Sequence, residues 1–186
     1  MAARAYFLQK GRRALWYVIQ VFTGKEEQMK KLCECQIPKT VLKKCFIPYY
    51  EEMKRYLGEW HKEKKRLFPG YIFVVTDEIA ALYTELNKIQ GFAKILGDQT
   101  CLLPLTEREV SFIRRFGGEE HVVGMSWGMI ENDEVMIMEG PLKGLEGCIR
   151  RIDRHKRRAE IEIEMFGRTV NATVGIEIVR KRVRKE

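Results

Sequence analysis

Residues able to do covalent chemistry are scarce in this 186-residue chain. It has two serines, Ser111 and Ser126, three histidines, His61, His121 and His155, and four aspartates, Asp77, Asp98, Asp133 and Asp153. None stands at a spacing that pairs a nucleophile with a base, and no phosphate-cradling glycine loop or helix-borne zinc motif occurs. Glutamates are plentiful but interleave with lysines, as on a solvated face. The cysteines Cys33, Cys35, Cys45, Cys101 and Cys148 are odd in number and form no C-x-x-C pair, so neither a disulfide framework nor a zinc ribbon fits them. Cys33 and Cys35 would point about 200° apart on a helix, and all five read as reduced, mostly buried core residues. The expectation is a protein with no catalytic residues, no metal and no cofactor.

The dense chemistry is cationic. Lysine and arginine total 34 against 26 acidic residues, a net charge of +8. Arg150-Arg151-Ile152-Asp153-Arg154-His155-Lys156-Arg157-Arg158 packs six of these cations against one aspartate. Arginine forks onto phosphates, bonds guanine edges and stacks on unpaired bases, so the run is a candidate nucleic-acid contact; a solvated hairpin tip is the other reading. Regular A-form RNA hides its bases in a narrow groove, so selective binding calls for a hairpin loop, bulge or distorted stem.

The elements that carry these residues follow from hydrophobic periodicity. Leu15 to Phe22 is a near-continuous apolar run of strand type. Thr23-Gly24-Lys25-Glu26 has the spacing of a capping box. A helix should follow, with Met29, Leu32, Cys33 and Ile37 on one face and Pro38 as its stop. Cys45 to Pro48 begins another strand-like stretch. Tyr49 to Lys65 is charged and aromatic, with Leu57-Gly58-Glu59 as the turn of an exposed hairpin. Gly70 to Val75 is a clear strand. Thr76-Asp77-Glu78 caps a second helix whose apolar face is Ile79, Leu82, Tyr83, Leu86 and Ile89, stopped by Gly91. A short strand near Phe92 to Leu96 precedes a second capping box, Thr106 to Glu109, and a helix ending at Gly117-Gly118.

This order suits an α+β fold, a mixed sheet with packed helices of the split β-α-β kind, over about residues 13–118. Residues 119–127 lack periodicity and read as a linker. From 128 to 181 the period becomes two, and 135–138, 145–153, 159–165, 169–174 and 176–179 are short strand candidates for a small all-β barrel. The segment from Arg180 reads as a frayed, cationic tail. No apolar run approaches the roughly 18–20 residues of a membrane span, and no secretory leader is evident, so a cytoplasmic protein with no membrane contact is expected.

Two segments carry a resemblance. One is Trp16-Tyr17-Val18-Ile19-Gln20 with Lys65-Arg66-Leu67-Phe68-Pro69-Gly70-Tyr71-Ile72-Phe73-Val74. The other is Glu139-Gly140-Pro141-Leu142-Lys143-Gly144-Leu145-Glu146-Gly147 followed by Met165-Phe166-Gly167-Arg168. In this order and spacing they resemble the NusG family of transcription elongation factors, across both domains. The resemblance implies an NGN domain at 13–118 and an SH3-like KOW barrel at 128–181. It also implies that the first domain docks on the clamp of bacterial RNA polymerase through an apolar concavity, for which Tyr17, Phe22, Phe68, Tyr71 and Phe73 are the candidates, with Lys64, Lys65 and Arg66 near nucleic acid. The KOW barrel would bind RNA or protein; relatives use it for Rho or a small ribosomal protein. The basic turn is more like the specialised antitermination paralogs called LoaP. It implies a monomer whose KOW domain grips a nascent RNA hairpin through Arg150, Arg151, Arg154, His155, Lys156, Arg157 and Arg158, with Lys143 and Arg168 nearby. A general NusG factor without RNA selectivity is the alternative.

Overall fold

The computed structural model describes residues 14–89, 102–131 and 134–182. Strand β1 (Leu15–Gln20) lies at the centre of the first sheet, where every neighbour position suits its apolar run. It pairs antiparallel with β5 (Tyr71–Thr76) and β6 (Leu102–Pro104), and β2 (Lys44–Phe46) extends the sheet beyond β5. Pleating sends Tyr17, Ile19, Ile72 and Val74 to one face and Trp16, Val18, Phe73 and Val75 to the other. Helices α1 (Glu26–Gln36) and α2 (Ile79–Lys88) cover the first face with fully buried Met29, Cys33, Leu82 and Leu86. Tyr83, expected on that face, is 46% exposed. The buried stripe runs through positions 82, 86 and 89, and the residue after Leu82 is turned about 100° away from it. Cys35 is exposed for the same reason, two residues beyond buried Cys33.

Helix α3 (Glu107–Gly117) starts at the expected capping box: the Thr106 hydroxyl accepts the Glu109 N–H, and the Glu109 carboxylate accepts the Thr106 N–H. Ile113 and Phe116 pack it into the core of the second sheet face. Thr23 is not such a cap. Helix α1 begins after Lys25 with no side-chain cap, and Glu26 is fully buried instead. Its two carboxylate oxygens accept the Gly24 N–H and the Gly70 N–H, each at 2.7 Å, and Arg66 Nε lies 3.4 Å away. Glu26 thus fixes the Pro69-Gly70 turn, in which Tyr71 N–H reaches the Phe68 carbonyl and Gly70 takes φ 84°, as a type II turn requires. The sequence pattern of a helix cap was satisfied by a carboxylate recruited for a long-range job.

The predicted hairpin is β3 (Tyr49–Tyr56) and β4 (Glu59–Arg66), joined by Leu57-Gly58 with φ 52° and 83°, the two positive values of a type I′ turn. Residues 119–127, expected as a linker, instead bury His121, Val123 and Met125. They supply β7 (Val122–Val123), parallel to β3, and the first residues of β8 (Ser126–Glu131). A two-residue strand is too short to show a period.

The second sheet-forming unit has order β10-β11-β12-β8-β9, with β9 (Glu134–Glu139), β10 (Ile149–Asp153), β11 (Arg158–Met165) and β12 (Arg168–Arg182). It is the expected five-stranded all-β unit, with three corrections. It begins at Ser126 rather than 128, with β8, a strand absent from the candidates; Leu145 to Cys148 form a turn and a short 3-10 helix (Glu146–Cys148); and the candidates at 169–174 and 176–179 are one strand. Gly175 reads as a break in sequence, but it serves close approach: a Cβ there would stand 2.3 Å from the Glu51 carbonyl of β3 and 2.1 Å from Met125 Sδ. β12 continues through Arg182, so the expected frayed tail is strand up to that point. Gly91, the strand near Phe92–Leu96 and Cys101 lie outside the described residues. Among the described residues no helix is long and apolar enough to cross a membrane.

Replacing Glu26 by Ala leaves the buried Gly70 amide and the part-buried Gly24 amide without their acceptor. The expected loss is about 2–4 kcal/mol in urea unfolding, with a smaller loss for Glu26→Gln, which keeps one acceptor oxygen.

Candidate functional site

Phe68 and Tyr71 flank the Pro69-Gly70 turn, and Phe73 lies two residues on along β5, so all three reach the same side of the sheet. That side is occupied. Phe166, in the turn between β11 and β12, stacks on Tyr71 at 4.7 Å between ring centroids, meets Phe68 edge-on at 5.4 Å and lies 6.0 Å from Phe73. Such aromatic pairs add to the gain from burial itself. Two polar contacts fix the placement. The Phe166 N–H donates to Glu109 Oε1 at 2.5 Å, while Oε2 of the same carboxylate caps α3, and Arg168 Nη2 donates to the Tyr71 hydroxyl at 2.5 Å. Phe166 holds φ 61°, which turns its ring and its N–H onto the other domain.

Of the five expected polymerase contacts, three therefore converge and two do not. Tyr17 is directed to the opposite face, under the helices, because it pairs with Val74 rather than with an odd-numbered β5 residue. Burial pushes its hydroxyl pKa up. Phe22 is 56% exposed beyond the end of β1 and belongs to neither core. Phe68 and Phe73 are core residues as well as candidates, at 2% and 0% exposure.

The aromatic wall continues through Phe46, stacked on Phe73 at 5.3 Å, to His121, stacked on Phe46 at 3.7 Å and edge-on to Trp16 at 5.8 Å. His121 is 5% exposed and both ring nitrogens lack a partner among the described residues. Burial, with Lys44 and Arg114 nearby, pushes its pKa down to about 4.

The basic residues divide sharply. Arg151, Arg154 and His155 are exposed. Arg150 Nη2 lies 2.6 Å from Glu162, and Lys156 folds back on Asp153 at 3.9 Å. Arg157 leaves the turn altogether: its guanidinium lies 4.0 Å from the Trp60 ring centroid, and Nη1 is 3.3 Å from Glu177. Arg158 is half-buried at the start of β11, and Arg168 is held by Tyr71. Lys143 is exposed, its carbonyl accepting from Arg115 at 3.4 Å. On the hairpin, Lys64 is exposed, Lys65 pairs with Glu63 at 3.0 Å and Arg66 faces Glu26. Sequence reasoning did not single out Trp60, Glu177 or Phe166 as contact residues. Only Phe166 left a signal, as a large aromatic beside a turn glycine.

One unit offers an aromatic face and the other an arginine-bearing turn. The family model described as transcription termination factor nusG matches residues 14–114, and the chain belongs to the NusG family. Among curated relatives, the transcription termination/antitermination protein NusG of Bacillus subtilis is 26% identical over 161 residues, covering 82% of this chain and 90% of that protein. The protein of the same name from Halalkalibacterium halodurans is 28% identical over 162 residues, with the same coverage. A solved structure described as domain interaction in Thermotoga maritima NusG shares the fold, with a TM-score of 0.52 and 22% identity over 88% of this chain and 94% of that one.

Because His121 is held neutral in the folded state, the unfolded chain binds the extra proton first as pH falls. Stability should be flat above about pH 6.5 and decline between there and pH 4, by up to about 3 kcal/mol. Chemical unfolding across that range should show the slope in the parent and lose most of it in His121→Phe.

Proposed function

We propose that this chain is a non-enzymatic transcription elongation factor of the antitermination or processivity type. Its first domain binds the clamp of RNA polymerase with the face formed by Phe68, Tyr71 and Phe73, and its barrel recruits it to a nascent RNA hairpin. Family membership supports the polymerase half of this reading. The observation that carries it is the aromatic face itself. Three rings gather on one side of β5, and their cover is a turn belonging to the other domain. A removable lid on apolar rings is what a protein needs when those rings must be kept from water until a partner arrives. Polymerase binding at this face then requires the barrel to leave it.

For the RNA half, the support is the exposed trio Arg151, Arg154 and His155, with Lys156 beside them, in the manner of the LoaP paralogs. RNA held by the barrel raises the local concentration of the first domain near polymerase, so two modest affinities combine. A second reading has its own support: Arg150 and Arg157 are already paired with Glu162 and Glu177, which thins the free positive charge. In that reading the barrel meets a protein such as Rho or a small ribosomal protein, and the chain is a general NusG factor.

Gel shifts against hairpin and scrambled RNA over a salt series separate the two readings. The RNA reading expects hairpin preference that survives moderate salt and falls about tenfold or more in Arg151→Ala/Arg154→Ala. Equal, weak binding that vanishes with salt supports the general factor.

Phe166→Ala, and separately Gly175→Val, should loosen the barrel from the first domain and strengthen binding to purified polymerase by several-fold. Unchanged polymerase affinity in both, with domain separation verified by hydrogen exchange at β5, would remove Phe68, Tyr71 and Phe73 from the polymerase contact.

A further inference from the structure

Beyond Gly175, β12 leaves β11 and runs parallel to β8, from Ile176 opposite Ser126 to Arg182 opposite Glu131, while β9 returns along the other side of β8. This three-stranded extension has one side turned into the barrel, with Gly128 and Ile137 buried. The other side is apolar and uncovered. Trp127 is 39% exposed, Met136 52%, Met138 56% and Val179 54%. Cross-strand register joins them: Met129 stands opposite Met136, and Met138 is the extra residue of a bulge opposite Trp127. Singly scattered exposed hydrophobics are ordinary, but a contiguous set on one sheet face is the mark of an interaction surface. Unbranched methionines suit such a surface because they reshape to a partner.

Residues 126–139 carry acids but no lysine or arginine, the reverse of the chain as a whole. Glu131 and Glu134 stand directly opposite each other across the hairpin, an arrangement that costs stability, and Glu139 lies opposite Trp127. None of the three pairs with another described side chain. The sequence from 131 to 134 is Glu-Asn-Asp-Glu, three acids in four residues of a chain whose net charge is +8. The basic positions of the extension all come from β12, with Arg180 opposite Met129 and Arg182 opposite Glu131 in the register. The β8–β9 ladder is therefore an apolar strip with carboxylates at both ends, unpaired among the described side chains, and basic positions along its β12 edge. The Phe166 contact with the first domain is made by a different part of the barrel, the β11–β12 turn.

We infer that the outer face of the β8–β9 ladder is a docking surface for a basic polypeptide segment with apolar anchors, carried by a protein partner. The methionines and Trp127 would take the anchors, and Glu131, Glu134 and Glu139 the cations. Phosphate-rich RNA is disfavoured by those carboxylates. A second copy of this chain is disfavoured because a two-fold contact would place the same acids against each other between two bodies of charge +8.

The test uses the full chain and three probes: an amphipathic leucine–lysine peptide, its leucine–glutamate counterpart and a hairpin RNA. Tryptophan emission and titration calorimetry report binding. The leucine–lysine peptide should bind and shift the emission to the blue, and the shift should vanish in Trp127→Phe. Affinity should fall about tenfold in Met136→Ser/Met138→Ser and in Glu131→Gln/Glu134→Gln, the loss typical of central contact residues. RNA affinity should stay at the parent level in both variants. The inference is overturned if the leucine–lysine peptide does not bind, if either double variant binds it as the parent does, if the glutamate peptide binds equally well, or if the patch substitutions instead abolish RNA binding. A mass that doubles with protein concentration and returns to monomer in Met136→Ser/Met138→Ser would assign the face to a second copy and equally overturn it.

Discussion

One oxygen of the Glu109 carboxylate closes the first turn of α3, and the other receives the Phe166 N–H from the barrel. The helix start and the interdomain contact therefore stand on one side chain. A buried carboxylate accepting several N–H bonds makes charge-assisted bonds, stronger than neutral ones. The geometry they impose brings Phe166 onto Phe68, Tyr71 and Phe73. Arg168 on Tyr71 lies beside that ring cluster, while Arg157 on Trp60 and the close passage of Gly175 beside Glu51 join the two units at the other end of β11.

This arrangement explains why core and candidate interface could not be told apart beforehand. Phe68 and Phe73 are buried by the standards of any domain, yet part of what buries them belongs to the barrel. A ring covered by its own sheet and a ring covered by a neighbouring unit leave the same trace in a sequence, namely an aromatic residue in a strand. Only the pleat gave partial guidance. Alternation along β5 separates Tyr71 and Phe73 from Ile72, but it takes the β1–β5 register to show that Tyr17 faces the helices.

Much of the architecture was legible because its signals are local. The apolar run of β1, the box at Thr106, the Leu57-Gly58 turn and the change of period after residue 128 each need only a few neighbouring residues to be read. What failed depends on distant partners. Glu26 fits a cap for α1 in sequence but serves Gly70, 44 residues away. Gly175 looks like a strand break because its reason, the Glu51 carbonyl, lies on another element. Residues 119–127 lack a period because β7 has two residues and His121 is buried by stacking rather than by alternation. The arginine run was visible in composition, whereas its division into exposed and committed members depends on Glu162, Glu177 and Trp60, none of which lies in the run.

The length of β12 has a mechanical meaning. At about 3.3 Å per residue its fifteen residues span roughly 50 Å of continuous backbone. The strand begins beside Phe166, passes the first domain at Gly175 and ends in the sheet of Trp127 and Met136. One backbone, bulged between Ile178 and Arg180, thus joins the outer ladder to the point where the two units touch.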